Sequence, residues 1–420
     1  MDVVKPEHGD TQISVLQARI RIKQEIGAIT ETESIDIRGA LGRVLSLDIF
    51  APFDVPPYTN SAMDGYAIRG DDLLSGSLHE FSIIGAAWAG RSYEGPPVRT
   101  GETVQIMTGA VMPLGADTVL MQEHVQRKGN TIRVDSAHMP TCVKGQHVRA
   151  AGEDLPEGVL VLRAGKRILP ADIGLLASLG IGRVNVRRRL RVAFFCTGDE
   201  LRSIGEPLGK GNIYDSNRYT LYGMLTRLGV QIDDLGVVAD RYAEIRRILG
   251  DASTTSDVVI GTGGVSVGEA DYVRWVLQEL GQVHFWKVAI KPGRPLAFGR
   301  IGKARFFGLP GNPVAVMVSF YQFVQSALNR MEGEIDPPSA SLRRIPCSSS
   351  LSKKIGRTEF IRGILETGPE GGLTVRKTGA QGSGILHSMS AANCFIVLPP
   401  EQETVEPGSL VEVQPFLGLV

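Results

Sequence analysis

Three carboxylates and three cations each follow a short apolar run in this 420-residue chain. Glu200 follows Val192 to Phe195, Asp240 follows Val237 and Val238, and Asp271 closes a glycine turn after Asp257 to Ile260. Lys287, Lys291 and Arg294 lie along and just after Val283 to Ile290. Carboxylates gathered without a histidine or thiol suit a hard cation such as Mg²⁺, which bridges phosphate oxygens, so Glu200, Asp240 and Asp271 form a candidate metal set. The two ammonium groups would hold oxyanions as point charges, and Arg294 would grip one bidentately. Each residue also has a plainer reading. Thr197 and Glu200 fit a capping box, Asp271 lies early enough in a helix to answer its dipole, and the cations fit a solvated sheet end.

The stretch from Asp257 to Asp271, D-V-V-I-G-T-G-G-V-S-V-G-E-A-D, reads as strand, glycine turn and helix, with Ser266 and Glu269 spaced as a capping box. Gly263, Gly264 and Ser266 would let backbone N–H groups converge on an anion at a helix N-terminus. A tight strand-to-helix turn with no ligand fits the same residues. Pro310 and Pro313 in L-P-G-N-P, like the K-P-G-R-P turn, either shape a pocket or end strands.

The elements that must position these groups are alternating strands and helices from Arg191 onward, with Val283 to Ile290 as a fourth strand. Such alternation implies a doubly wound, mostly parallel sheet, whose ligands sit at the strands' carboxyl ends. One pocket is then expected to hold three carboxylates and three cations. Ahead of this domain, Phe81 to Val148 is punctuated into short strands, including a K-G-N hairpin turn, and reads as a small β module inserted into a discontinuous α/β domain. The proline-rich A-P-F-D-V-P-P-Y segment is a stiff domain crossing. After E-I-D-P-P-S-A the chain returns to short strands, expected to form a small barrel or sandwich. The expected domains are 1–50 with 149–188, 51–148, 189–333 and 334–420.

Composition narrows the class. Lysine plus arginine equals aspartate plus glutamate at 45 each, so no global field draws the chain to nucleic acid or anionic lipid. The R-R-R-L-R run at Arg187 to Arg191 reads as a solvated linker. Four dispersed cysteines with no C-x-x-C pair argue against zinc or a disulfide framework and fit a reducing compartment. Neither a membrane span nor a leader is apparent, and a cytoplasmic location is expected. No G-x-S-x-G elbow is present, and the histidines show no metal spacing.

Taken together, N-S-A-M-D-G-Y-A from Asn60, I-M-T-G-A from Ile106, G-E-D from Gly152, T-G-D-E-L from Thr197, I-Y-D-S-N from Ile213, G-G-V-S-V-G-E-A-D-Y from Gly263, F-W-K-V-A-I-K-P-G-R-P from Phe285 and G-L-P-G-N-P-V from Gly308 resemble the MoeA and gephyrin E-domain family. The resemblance runs from about Ser14 to Pro415. It implies a four-domain, elongated homodimer that inserts molybdate into adenylylated molybdopterin, releasing AMP with Mg²⁺ dependence. It places functional roles on Asp64, Thr108, Asp154, Glu200, Asp240, Asp271, Lys287 and Lys291, and, from the C-terminal domain, on Arg362 and Ser383. It also implies transient contact with an adenylyltransferase-type protein and with molybdoenzyme acceptors. Two departures stand out: Ala315 replaces a serine frequent in relatives after P-G-N-P-V, and Arg294 replaces a lysine. A gephyrin-type scaffold and the preceding adenylyltransferase step are the competing readings. The Asn60 to Ala67 motif disfavours the second, and the absence of a long linker or second fused domain the first.

Overall fold

A computed structural model describes residues 12–74, 80–134, 143–264, 272–335, 342–368 and 371–416. Ser14 and Gln17 form the reciprocal capping box that starts helix Val15–Glu25. Val15, Ala18 and Ile22 of this helix pack into the core of the sheet domain, with Phe194, Ile260 and Phe323. The preceding residue is tied there too, as Ile13 N donates to Lys287 O at 3.2 Å and Ala289 N to Ile13 O at 2.7 Å. The helix therefore does not join the N-terminal domain expected over 1–50.

That domain forms from strand pairings far apart in sequence. Thr32–Asp36 runs antiparallel to Arg183–Arg187, and Ile49–Phe50 to Leu160–Leu162, with helix Pro170–Ser178 over Leu45, Ile168 and Val184. The chain leaves beside its own return path, with Ala51 N donating to Val159 O and Val55 N to Leu155 O. Between exit and return lies the inserted domain, a six-stranded sheet. Its strand order is Thr118–Met121, Gly65–Ile68, Glu102–Ile106, Glu80–Ala87, Thr131–Val134 and Val125–Lys128.

The central domain is a six-stranded sheet ordered Gln231–Val238, Arg191–Thr197, Val258–Thr262, Ala304–Leu309, Pro295–Ile301 and Gly281–Lys287. The first four strands are parallel and the last two pairings antiparallel. Burial on both faces follows the period-2 alternation of side chains. Val192, Phe194 and Ile260 meet helix Ser216–Leu228 and the long helix that begins at Pro313, whereas Ala193, Phe195 and Val259 meet helices Tyr242–Thr255 and Tyr272–Leu280. The expected fourth strand, Val283 to Ile290, is corrected. Gly281–Lys287 closes the sheet edge, Ile290–Lys291 crosses over to pair with Thr358–Thr367 of the C-terminal domain, and Ala304–Leu309 supplies the fourth parallel strand. Pro292, which cannot donate to a ladder, ends the crossover at Lys291, and Pro295 opens the strand that pairs back with Lys287.

Nor is the arginine run solvated: Arg188 chelates Asp257 at 2.7 and 2.8 Å and reaches Glu31, and Arg191 N donates to Asp257 at 2.8 Å. Asp257 is held below its usual range despite its burial by these contacts. The run thus fastens the N-terminal domain to the start of a core strand.

The C-terminal domain orders Thr358–Thr367, Cys394–Leu398, Leu410–Pro415 and Arg343–Pro346 side by side. Leu373–Lys377 pairs with the far side of Thr358–Thr367, and a bridge between Cys347 and Val375 closes the circuit into a barrel around Ile361, Val375, Ile396 and Val413. Among the described residues, no helix is long and apolar enough to cross a membrane.

Candidate functional site

A cleft of 1390 Å³ opens between the carboxyl ends of the parallel strands and the C-terminal barrel. Its volume exceeds the several hundred Å³ typical of a site for a single small ligand. Glu200, Asp240, Gly263, Gly264 and Arg294 line it from the sheet side, as do Pro310 and Pro313, while Lys291, Arg362 and Ser383 line it from the barrel. Ten of the residues singled out in the sequence are thus brought together. Lys287 is not. It is 9% exposed, pairs in register with Pro295, and does not line the cleft. Its own carbonyl accepts from Ile13, so this end of the strand is committed to packing. Ser266 and Asp271 lie outside the described residues.

The sheet wall is built by close backbone approach. Gly263 has φ +79, and a Cβ there would stand 2.0 Å from the Thr197 carbonyl oxygen, so only glycine lets the third strand's turn lie against the first. Beside it, Asp240 Oδ1 and Thr197 Oγ1 are buried with no hydrogen-bond partner among the described residues. Burial raises the Asp240 carboxyl above its ordinary range, and the neighbouring Asp199 and Glu200 carboxylates push it the same way. Among the described residues no three histidine, cysteine or acidic side chains gather as a complete metal site. Glu200 and Asp240 do present an oxygen-only pair of the kind Mg²⁺ takes from protein, the remaining positions going to water and substrate.

Because the folded pKa of Asp240 is raised, protonation favours the fold. That contribution is fully present below the unfolded value near 3.8 and is lost as pH rises through the folded value. Asp240→Asn is therefore expected to melt higher than the native chain at pH 7, with the advantage gone at about pH 3 by the same linkage, as thermal scans at the two pH values would measure.

The barrel wall carries a buried cation. Arg362 is 1% exposed; its Nε donates to Ser388 Oγ at 3.0 Å and its Nη2 to Gly382 O at 2.9 Å. No carboxylate faces it among the described residues, and burial lowers its pKa to about 10. Lys291, by contrast, holds both oxygens of the buried Glu359 at 3.2 and 3.1 Å, a pairing set up by the strand crossover.

Asp64 and Thr108 lie in the inserted domain, away from this cleft. Both the N–H and the hydroxyl of Thr108 donate to Asp64 Oδ1 at 2.7 Å, which keeps the exposed carboxylate below its usual range. Gly65 explains the M-D-G sequence, since a Cβ there would meet the Leu120 carbonyl oxygen at 1.8 Å.

Asp215 and Asn217 belong to the site although the sequence singled out only their motif. Asp215 caps helix Ser216–Leu228, and Asn217 Nδ2 donates to Gly311 O at 2.7 Å, tying the helix start to the L-P-G-N-P turn. A readable signal was present: an Asx cap placed between a strand and an amphipathic helix. Cys196 is fully buried and its thiol is pushed far up, by burial first and then by Asp215, so it is a core residue beneath the cleft.

This arrangement, a molybdopterin-binding type of sheet domain joined to a discontinuous N-terminal domain, an inserted sheet and a C-terminal barrel, defines a class that comparison with known proteins bears out. Residues 13–180 match the MoeA N-terminal region (domain I and II), 193–330 the "Probable molybdopterin binding domain", and 344–416 the MoeA C-terminal region (domain IV). The chain is 40% identical to the molybdopterin molybdenumtransferase of Haemophilus influenzae, over 96% of this chain and 98% of that one. It is 33% identical to the enzyme of the same name from Nostoc, covering 91% and 88%. A crystal structure of the molybdopterin biosynthesis MoeA protein from Pyrococcus horikoshii superposes with a TM-score of 0.82 at 30% identity, covering 96% of this chain and 100% of that chain. The chain belongs to the MoeA family.

Proposed function

We propose that this protein is a molybdopterin molybdenumtransferase, which inserts molybdate into adenylylated molybdopterin with release of AMP as the last step of molybdenum cofactor synthesis. The observation that carries the reading is one cleft that holds Glu200, Asp240 and Arg294 at the strand ends and the buried Arg362, facing no carboxylate among the described residues, on the barrel. A substrate with two phosphate groups and an incoming dianion requires both cations and carboxylates in one cleft.

In this reading Arg362, Arg294 and the glycine-turn N–H groups hold the oxyanions, a task that suits preorganised donors in a partly dry site. Glu200 and Asp240 hold Mg²⁺, which when bound lowers the negative charge on the phosphate anhydride. The protein works as a cytoplasmic homodimer in which the inserted domain of one subunit brings Asp64 and Thr108 to the cleft of its partner. The Thr108 donors keep Asp64 ionised and aimed, ready to orient a group in that cleft. Substrate would arrive from an adenylyltransferase-type protein, and product would pass to molybdoenzyme acceptors.

The test is AMP release from purified adenylylated molybdopterin, with Mg²⁺ and with or without molybdate. Release that depends on molybdate is the expected result. Binding of the substrate without release would sink the reading.

A further inference from the structure

One aromatic side chain in the inserted domain is placed for binding rather than for packing. Trp88 is 47% exposed. Of the chain's three tryptophans, Trp286 is buried under Arg274 and Trp275 stacks edge-on against Tyr272, whereas Trp88 has no ring or cation contact among the described residues. It is nevertheless mounted rigidly. Its N–H and carbonyl both bond to Arg91 at 2.9 Å across a two-residue turn with Gly90 at φ +79.

The mount stands at the end of the strand beside the Asp64 and Thr108 pair. In the inserted sheet, Gly65–Ile68, Glu102–Ile106 and Glu80–Ala87 are adjacent, and Gly65, Ile106 and Ala87 lie in one register row. The next residues out are Asp64, Met107 and Trp88. Met107 N donates to Ala87 O at 3.2 Å, and a Cβ on Gly109 would rest 3.8 Å from that of Ala89, so the Trp88 turn packs directly against the Thr108 turn. Asp64, Met107 and Trp88 thus follow one another along a sheet end, with the Thr108 hydroxyl on Asp64.

We infer that Trp88 is a binding residue: its indole stacks on a flat nitrogen heterocycle of the substrate while Asp64 and Thr108 face the polar groups beside that ring. The inference rests on the transferase reading, in which this sheet end enters the cleft of a second copy. Two rings have the required chemistry, the adenine of the adenylyl group and the pterin. A base stacked on an aromatic side chain loses about 5- to 150-fold in affinity when that side chain is cut to alanine.

The experiment follows tryptophan emission and steady-state kinetics in the intact protein and in two variants. AMP and molybdopterin lacking the adenylyl group are added separately. Quenching by the first assigns adenine and by the second the pterin. Trp88→Phe is expected to lose the quench while keeping KM near native, because a ring remains. Trp88→Ala is expected to raise KM for adenylylated molybdopterin by about 5- to 150-fold, with kcat carrying the smaller share of the loss. A native KM in Trp88→Ala, or a quench that survives in Trp88→Phe, overturns the inference. A native protein that releases no AMP defeats the transferase reading alone, and the two quenching titrations still decide the stacking.

Discussion

Gly263→Ala is expected to remove turnover almost completely and to lower stability by about 3 kcal/mol. Two independent costs meet there. The backbone sits at φ +79, where a β-carbon costs about 1 to 2 kcal/mol. The new methyl would also stand 2.0 Å from the Thr197 carbonyl oxygen, and overpacking of that kind adds about 1 to 3 kcal/mol. Because the obstructing atom is backbone in the adjacent core strand Arg191–Thr197, no rotamer change relieves it. The turn itself must move, and with it the N–H groups and Asp240 beside them. A displacement of about 1 Å at a reacting centre is worth roughly 100-fold in rate. Gly250→Ala is the control. It lies inside helix Tyr242–Thr255 with nothing within 4 Å of the added carbon, and should stabilise by about 1 kcal/mol with unchanged activity. Chemical denaturation and AMP release on the two variants separate the outcomes; a Gly263→Ala protein as active as Gly250→Ala would show that the turn does not shape the site.

The reason Gly263 could be singled out from sequence is that its strand, turn and helix are contiguous, and each link leaves a local mark. The same holds for Glu200 and Asp240, which follow β-branched or aromatic runs. What local patterning could not reveal are the contacts that join distant segments. The helix after Ser14 is marked in the sequence by Val15, Leu16, Ile20 and Ile26, yet Leu16 and Ile20 are exposed, and the buried face is Val15, Ala18 and Ile22, packed with Phe194 and Phe323. Lys287 and Lys291 look equivalent four residues apart. They part company because Ile290–Lys291 pairs with a strand that begins at Thr358, where Glu359 takes the Lys291 ammonium, while Lys287 ends an edge strand. Asn217 was missed for a related cause, since its amide serves Gly311, 94 residues away. Ala315 is 2% exposed and lines the cleft near Gly293, where the nearest side-chain atom is the Ser319 hydroxyl.

Arg362→Met is expected to separate binding from stability more cleanly than any other single change. A buried guanidinium facing no carboxylate among the described residues is unfavourable to the fold, and the direction of its pKa shift says so: burial lowers it to about 10, meaning that the charged form is disfavoured in the folded chain. Methionine keeps an unbranched stem of similar reach and removes the charge. Against that relief stand the lost bonds to Ser388 Oγ and Gly382 O, whose partners would be left unsatisfied at about 1 to 3 kcal/mol in total. The two contributions oppose each other, so the melting temperature should move by only a few degrees. Substrate binding has no such compensation. Truncating one partner of a buried charge pair costs about 2 to 5 kcal/mol, which corresponds to roughly 30- to 4000-fold weaker binding of adenylylated molybdopterin. Arg362→Lys should recover only part of this, because an ammonium cannot grip an oxyanion bidentately. Calorimetric titration alongside thermal melts measures both quantities on the same samples. If Arg362→Met unfolds yet the surviving folded fraction binds substrate with native affinity, the arginine is a structural tie between Thr358–Thr367 and the Gly382 turn, and the anion must be held by Arg294 and the glycine turn across the cleft.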